Sequence, residues 1–174
     1  EEFLFWTLSI CSSTSLVDIL PLNMAEAVRY LPCLGSEAHI MFLASNIYWE
    51  SRNQSLGGKL AVGQVVLNRV EHKRFPETIC EVVKQTKFYP SGKIDLHDCQ
   101  FSWYCDGKSD TPVESEMNHY EEAFELAVDL IEDRPIDITE GATHYHNDKV
   151  MPYWADSLQR KSRIDNHIFY SEKK

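Results

Sequence analysis

One carboxylate, Glu50, stands where a general acid could work. From Ser36 onward the apolar residues recur with the spacing of an amphipathic helix, and Glu50 continues the row of Leu43 and Ile47 in its last turn. The helix dipole disfavours a carboxylate at a C-terminus, and an apolar surrounding favours the protonated form. Both effects raise the pKa, as a general acid near neutral pH requires. The spacing alone is equally typical of a surface glutamate that ends a helix.

Two other constellations could carry chemistry. His144 and His146 alternate on a predicted strand, so both imidazoles could ligate zinc together with a third residue, as in a zinc amidase or peptidase. No H-E-x-x-H motif accompanies them. A thiol enzyme, with a cysteine paired to a histidine, is a further alternative, although no cysteine lies in a recognisable nucleophile motif.

The cysteines have a structural interpretation as well. The chain has five cysteines and no C-x-x-C spacing, which argues against a zinc site built from them. Cys99 and Cys105 flank QFSWY closely enough to form a disulfide, and Cys80 could compete for either partner. A disulfide among these three would indicate an exported protein. The alternative is three buried free thiols.

The elements that would position the candidate acid are helices. Ser36 is a suitable N-cap for the first helix, and residues 53–58 form a turn with two glycines. A second helix is predicted from about Lys59 to Glu71, with the wide buried face of a central helix. A short third helix opens at Pro76 and runs through Lys84. Residues 111–133 predict a long helix whose acidic face is solvated.

The C-terminal part predicts a small antiparallel sheet. ATHYHN, residues 142–147, is typical of a strand, and residues 160–172 predict two strands that turn at Asp165-Asn166. Before the acidic helix the periodicity is lost, and Gln100 to Tyr104 could be a short strand or a loop. A loop so rich in aromatic residues suits saccharide recognition, although its rings could instead form a satellite core. The predicted fold class is α+β, with a groove between a helical lobe and the sheet.

A family resemblance adds to these observations. Residues 47–83, IYWESRNQSLGGKLAVGQVVLNRVEHKRFPETICEVV, resemble the signature region of the SleB-like cell-wall hydrolases, spore-cortex-lytic and phage-borne enzymes that cut peptidoglycan glycan strands. The family pattern is E-A-R-G-E, a glycine-containing turn, L-N-R and then R-F-P. The matching residues are Glu50, Arg52, Asn68, Arg69, Arg74, Phe75 and Pro76. Further matches are QFSWYCDG, ATHYHN and NHIFY, so the resemblance spans roughly residues 36–170. Gln54 stands where the family has its second glutamate.

The resemblance implies a lysozyme-like fold and a function. It implies cleavage between N-acetylmuramic acid and N-acetylglucosamine, with Glu50 as catalytic acid and later base, as in lytic transglycosylases. Because Gln54 is neutral, the substrate's own groups would replace an enzyme nucleophile and leave a 1,6-anhydro end. Alternatives are muramidase-type hydrolysis, with Asp98 or Asp106 steering a water, and a non-catalytic glycan-binding or virion structural module. The residues expected to bind substrate are Gln100, Phe101, Ser102, Thr143, His144, Tyr145 and Tyr170.

Composition limits the partners and the domain organisation. A formal net charge of −10 argues against nucleic acid and against anionic membranes. We expect peptidoglycan as partner, no metal or other cofactor, no stable membrane insertion, and other virion proteins if the protein is phage-borne. The 174 residues predict one catalytic domain over 36–174 after an N-terminal leader or packing arm over 1–35. That leader resembles neither a signal peptide nor a membrane span. The expected location is extracytoplasmic, in periplasm or cell wall, or in a phage.

Overall fold

The computed structural model describes Cys33 and residues 35–87, 89–91 and 99–173. The predicted leader up to residue 32 and the candidate Asp98 lie outside the described residues. Within the described part, five α-helices precede a three-stranded sheet. The helices are α1 Ser36–Ser51, α2 Leu56–Val70, α3 Ile79–Val83, α4 Ser102–Cys105 and α5 Met117–Glu132, with 3-10 turns at Glu114–Glu116 and Ala155–Ser157. None of these helices is both long and apolar enough to cross a membrane.

The central helix is α1, and it is buried on nearly every side. Leu43, Ile47 and Tyr48 are fully buried, as the apolar spacing predicts, and Phe42 is fully buried as well. The polar Asn46 is equally buried, and the indole Nε1 of Trp103 in α4 donates to its Oδ1 at 2.9 Å. The amphipathic spacing does not account for the burial of Asn46, which arises because α4 covers this face of α1. Exposure is confined to the two ends of the helix: the first turn, with Ser36 and Glu37, is exposed, and the last turn, with Trp49 and Glu50, is partly exposed.

The starts of α1 and α2 differ from the sequence predictions. Ser36 is the first residue of α1, and the capping position belongs to Gly35 (φ 83°), which has no side-chain cap. Helix α2 starts at Leu56, earlier than predicted, because the Ser55 hydroxyl accepts from the Gly58 backbone N–H at 3.2 Å. Asp165, in the distant hairpin, accepts from both the backbone N and the hydroxyl of Ser55, at 2.9 and 2.7 Å. A contact with a residue so far along the chain fixes this start.

Three further predictions of helix position or type were also wrong. Pro76 does not open α3, since Thr78 caps that helix and its hydroxyl accepts from the Glu81 N–H at 3.3 Å. Residues 102–105 form a short helix instead of a strand or loop. The acidic helix α5 begins at Met117, after a 3-10 turn.

The sheet has the strand order β1-β3-β2 and is antiparallel throughout. Its strands are β1 His144–Asn147, β2 Gln159–Ile164 and β3 His167–Ser171. Asp165, in the turn between β2 and β3, has φ 48°, a conformation that aspartate and asparagine tolerate better than most residues. The predicted small sheet and its turn are confirmed.

A small second core joins the sheet to α2. It consists of Ala61 and Val65 from α2 together with Ala142 and Phe169. Tyr145 stands opposite Phe169 in the β1–β3 register and packs against both this core and the main helical core. The small core thus places the middle of β1 against the helices.

Two disulfides fasten the helical part. Cys99 and Cys105 are bonded across the loop, which is one of the pairings that the sequence allowed. Cys80 does not compete for either of them, because it is bonded to Cys33, a partner that the sequence analysis did not consider. The second bond ties α3 to the segment just before α1.

Candidate active site

Glu50 is the penultimate residue of α1 and is partly exposed. The Tyr145 hydroxyl donates a hydrogen bond to Glu50 Oε2 at 2.9 Å. Burial raises the pKa of Glu50 above its ordinary value, while the Tyr145 hydrogen bond and the positive charge of Arg69 partly oppose this rise. The carboxyl group therefore favours its protonated form at higher pH than an ordinary glutamate does, and it keeps an opening to solvent.

Tyr145 lies in β1 and is held as a neutral phenol. Burial raises its pKa well above the ordinary value, and the nearby Glu50 carboxylate raises it further. A phenol that stays protonated can only donate towards a carboxylate, so its hydrogen bond fixes the orientation of the Glu50 carboxyl group.

Arg69, in the last turn of α2, is a buried cation with only 5% of its surface exposed. Its Nε donates to the Thr143 backbone carbonyl at 2.7 Å. Its guanidinium carbon lies 5.1 Å from the ring centroid of Phe75 and 5.2 Å from that of Phe101, within cation–π distance. Burial lowers the pKa of Arg69 to about 10, so the group is still charged at neutral pH.

His144, the first residue of β1, lies among aromatic rings. Its ring centroid is 5.9 Å from that of Phe75 and 5.4 Å from that of Trp154, and its Nδ1 is 2.9 Å from the Thr143 hydroxyl. Burial and the charge of Arg69 lower the pKa of His144 to about 4. The imidazole is therefore neutral at neutral pH.

The contacts of His146 bear on the zinc alternative. Its Nε2 is 3.0 Å from the Tyr170 hydroxyl and its Nδ1 is 2.8 Å from the Asn147 carbonyl, so both ring nitrogens have protein partners. No group of three or more His, Cys, Asp or Glu side chains among the described residues is placed to hold a metal ion. The zinc alternative gains no support from these contacts.

Comparisons with known proteins identify the family of this chain. A family model described as Cell Wall Hydrolase matches residues 53–170, more than half of the chain. The chain belongs to the cell wall hydrolase family. The family resemblance seen in the sequence is thereby confirmed. The matched range begins just after Glu50, so the role of that residue rests on the geometry described above.

One curated protein and two solved structures are similar to this chain. The chain is 28% identical over 145 residues to the spore cortex-lytic enzyme of Halalkalibacterium halodurans, covering 83% of this chain and 38% of that protein. It therefore spans well under half of the length of that relative. The catalytic domain of the germination-specific lytic transglycosylase SleB from Bacillus anthracis is 28% identical, with a TM-score of 0.60, covering 81% of this chain and 100% of that one. The Bacillus cereus SleB catalytic domain is 27% identical, with a TM-score of 0.53, covering 81% and 95%.

These structural matches confirm the predicted fold class, a lysozyme-like α+β fold with helices and a small antiparallel sheet.

The seven residues predicted to bind substrate occupy four kinds of position. Tyr145 contacts Glu50 directly. Three others surround Arg69. The ring of Phe101 packs against its guanidinium, and the backbone carbonyl of Thr143 accepts from its Nε. The positive charge of Arg69 also lowers the pKa of His144. Tyr170 is paired with His144 in the β1–β3 register.

The other two predicted residues, Gln100 and Ser102, are solvent-exposed on either side of the buried Phe101. A substrate-binding role for any of the seven stays a prediction.

Sequence reasoning missed the importance of two residues. Arg69 was matched to the family pattern but received no role, because a basic residue in the last turn of a helix is ordinarily a partner of the helix dipole. No role was predicted for Trp154 either. Its ring centroid lies 5.4 Å from that of His144 and 5.6 Å from that of Tyr170, so it covers the end of the sheet. No spacing signal in the sequence could have revealed either contact.

Proposed function

We propose that this chain cleaves peptidoglycan glycan strands between N-acetylmuramic acid and N-acetylglucosamine, as a lytic transglycosylase with Glu50 as its acid and base. The observation that carries the proposal is the Glu50 carboxyl group, whose pKa is raised by burial and whose Oε2 accepts from Tyr145. Membership of the cell wall hydrolase family and the likeness to two SleB catalytic domains support it.

The proposed reaction needs one carboxyl group. Protonated Glu50 donates its proton to the glycosidic oxygen as the bond from that oxygen to C1 of N-acetylmuramic acid breaks. The leaving N-acetylglucosamine keeps this proton as a hydroxyl group. Ionised Glu50 then takes the proton of the 6-hydroxyl as its oxygen bonds to C1 and closes a 1,6-anhydro ring. Glu50 ends protonated, and no water is consumed.

The surroundings of Glu50 favour this chemistry over hydrolysis with a second carboxylate. Retention by a protein nucleophile needs a second carboxyl about 5 Å away, and inversion needs one about 6.5–9.5 Å away. Within the described part of the chain, the groups that act on the charge of Glu50 are Tyr145 and Arg69, neither of them a carboxylate. The neutral Gln54 accepts from the Asn166 backbone N–H at 3.4 Å, and Asp106 accepts from the Lys108 N–H at 2.9 Å. Both side chains thus have structural contacts of their own.

The site of action follows from the substrate. Peptidoglycan lies outside the cytoplasm, and two disulfides are typical of a protein that works in an oxidising compartment. We therefore propose an extracytoplasmic location, in the periplasm or cell wall. Delivery by a phage and contact with other virion proteins stay predictions.

The test is mass spectrometry of purified peptidoglycan digested by the protein. We expect muropeptides that end in 1,6-anhydro-N-acetylmuramic acid, and we expect their release to stop in Glu50→Gln. The control variant is Glu125→Gln, the same change at an exposed position of α5, which should digest like wild type. Reducing N-acetylmuramic acid ends alone would show that water is the acceptor, and equal digestion by Glu50→Gln would remove Glu50 from the mechanism.

A further inference from the structure

Arg69 is a buried cation without an ion-pair partner. Its side chain is 5% exposed, yet within the part of the chain that the structure describes no carboxylate oxygen lies within 4.0 Å of a guanidinium nitrogen. Its Nε is used by the Thr143 carbonyl, and two aromatic rings lie near its guanidinium. A buried charge is retained only where something compensates the loss of hydration. The contacts with Thr143 and the two rings compensate part of the hydration that the Arg69 guanidinium loses.

One donor of the same guanidinium group remains unused. Arg69 Nη1 is buried and has no hydrogen-bond partner among the residues that the structure describes. A buried N–H of a charged group without an acceptor is unfavourable, and native structures rarely keep one without a reason. The hydrogen bond from Nε to the Thr143 carbonyl and the two ring contacts do not involve Nη1. They therefore do not explain why Nη1 is buried without an acceptor.

The group that can supply the missing acceptor is Glu50. Among the residues that the structure describes, the titratable groups that act on Glu50 are Tyr145 from β1 and Arg69 from α2, and those that act on Arg69 are Tyr145 and Glu50. Arg69 also acts on His144, which is neutral at neutral pH. While Glu50 is protonated it has little need of a cation. Once it has given up its proton, it is a carboxylate on which the positive charge of Arg69 acts, and Arg69 Nη1 lacks an acceptor among the described residues.

We propose that Arg69 is a positioning residue whose buried positive charge and free Nη1 stabilise the ionised form of Glu50 between its two proton transfers. The proposal rests on the proposed function, in which Glu50 alternates between acid and base. The charge is fixed before the reaction starts, so little reorganisation is needed when the carboxylate forms. The net proton count of the reaction is unchanged, because Arg69 keeps all its protons.

A purely structural role for Arg69 makes different predictions. In that case Arg69 only ties the end of α2 to Thr143 and stacks on Phe101. Its replacement would then lower stability and activity together, without moving the pKa of Glu50. An electrostatic role moves that pKa, and a substitution that preserves the charge restores it.

The test measures the pKa of Glu50 directly, by NMR titration of its side-chain carboxyl carbon, assigned by difference from Glu50→Gln. In Arg69→Gln we expect the pKa of Glu50 to rise and kcat at neutral pH to fall on the order of 10²-fold. The alkaline limb of the kcat profile should move to higher pH. In Arg69→Lys, which keeps the charge, the pKa should stay closer to wild type. The control is Arg163→Gln on β2, where the arginine is 56% exposed and paired with Asp148.

The outcomes separate this proposal from the proposed function. If wild type and Glu50→Gln digest peptidoglycan equally, the proposed function fails, whatever Arg69 does. If Glu50 is essential and its pKa is the same in Arg69→Gln as in wild type, only the role of Arg69 is overturned. If Arg69→Gln does not fold, crystal structures of the wild type at pH values below and above the measured pKa of Glu50 decide between the two roles. A Glu50 oxygen that comes within hydrogen-bond distance of Nη1 only at the higher pH supports the proposal, and an unchanged separation overturns it.

Discussion

Gly63 in α2 lies where side chains of α1 and α5 both approach this helix closely, and replacing it with alanine tests how tightly the three helices pack. A Cβ at this position would lie 2.4 Å from Leu130 Cδ1 of α5 and 3.0 Å from Ile47 Cδ1 of α1. Carbon atoms prefer a separation of about 3.5–4.0 Å. Leu130 and Ile47 are both fully buried, so neither side chain has free space into which to withdraw.

The magnitude follows from two opposing terms. Overpacking a well-packed core costs about 1–3 kcal/mol, and a Cβ this far inside contact distance of the fully buried Leu130 belongs in the upper part of that range, about 2–3 kcal/mol. Alanine is favoured over glycine inside a helix by about 1 kcal/mol, which offsets part of this cost. We therefore expect Gly63→Ala to lower the free energy of unfolding by about 1–2 kcal/mol. For a chain of this length, that change corresponds to a fall in Tm of roughly 2–8 °C.

The assay is thermal and urea unfolding under non-reducing conditions, with Gly57→Ala as the matched control. A Cβ at Gly57, in the first turn of the same helix, would meet only ordinary contacts, 3.6 Å from Ser55 Oγ and 4.0 Å from Ile164 Cγ2. That variant should be neutral or slightly more stable. In a Leu130→Val background, which removes the crowding Cδ1, the cost of Gly63→Ala should shrink. A Gly63→Ala variant as stable as wild type would show that the helices are not packed as tightly as described.

Two further predictions concern the candidate acid. Tyr145→Phe removes the hydrogen bond to Glu50 and should lower kcat roughly 10- to 100-fold, because hydrogen bonds to charged groups contribute about 1.5–3 kcal/mol; unchanged kinetics on soluble glycan strands would contradict this. Glu50→Gln should stabilise the fold at neutral pH. The pKa of Glu50 is raised on folding, so its contribution to stability is fully present below the ordinary pKa of glutamate and is lost as the pH rises through the folded value. Urea unfolding should therefore show an advantage of the variant that is largest at neutral pH and shrinks towards about pH 4, and an advantage independent of pH would refute the argument.

The features that the sequence predicted well depend on short-range patterns. The position of Glu50 in the last turn of α1 follows from residues less than two turns away, and the β2–β3 hairpin follows from alternation around Asp165. Such patterns need no knowledge of the rest of the chain. The family resemblance supplied the order of the remaining elements and the lysozyme-like class.

Most of the features that could not be predicted depend on contacts between distant parts of the chain. The Tyr145 hydroxyl meets Glu50 across 95 residues, and Arg69 is buried by the Thr143 carbonyl 74 residues away. The start of α2 is fixed by Asp165, 110 residues from Ser55. Periodicity says which face of an element is apolar, but it does not say which polar groups the tertiary fold will bring together. For that reason the electrostatics of the site emerged only from the structure.

Removal of either disulfide should affect stability and activity to different extents. In the chain-entropy description, a longer closed loop gives more stabilisation. Cys33–Cys80 has a sequence separation of 47 residues and Cys99–Cys105 one of 6, which corresponds to about 4 and about 2 kcal/mol.

The shorter loop carries Phe101, whose ring lies 5.2 Å from the guanidinium carbon of Arg69, next to the candidate acid. We therefore expect replacement of Cys33 and Cys80 by serine to cause the larger loss in urea unfolding with kcat nearly preserved. Replacement of Cys99 and Cys105 should cause the smaller loss of stability but the larger fall in kcat. If both pairs lose activity only in proportion to the unfolded fraction, the short disulfide does not help to position Arg69. The order of the two effects can be measured at a temperature where both variants are folded, so a difference in kcat there reports on the site and not on unfolding.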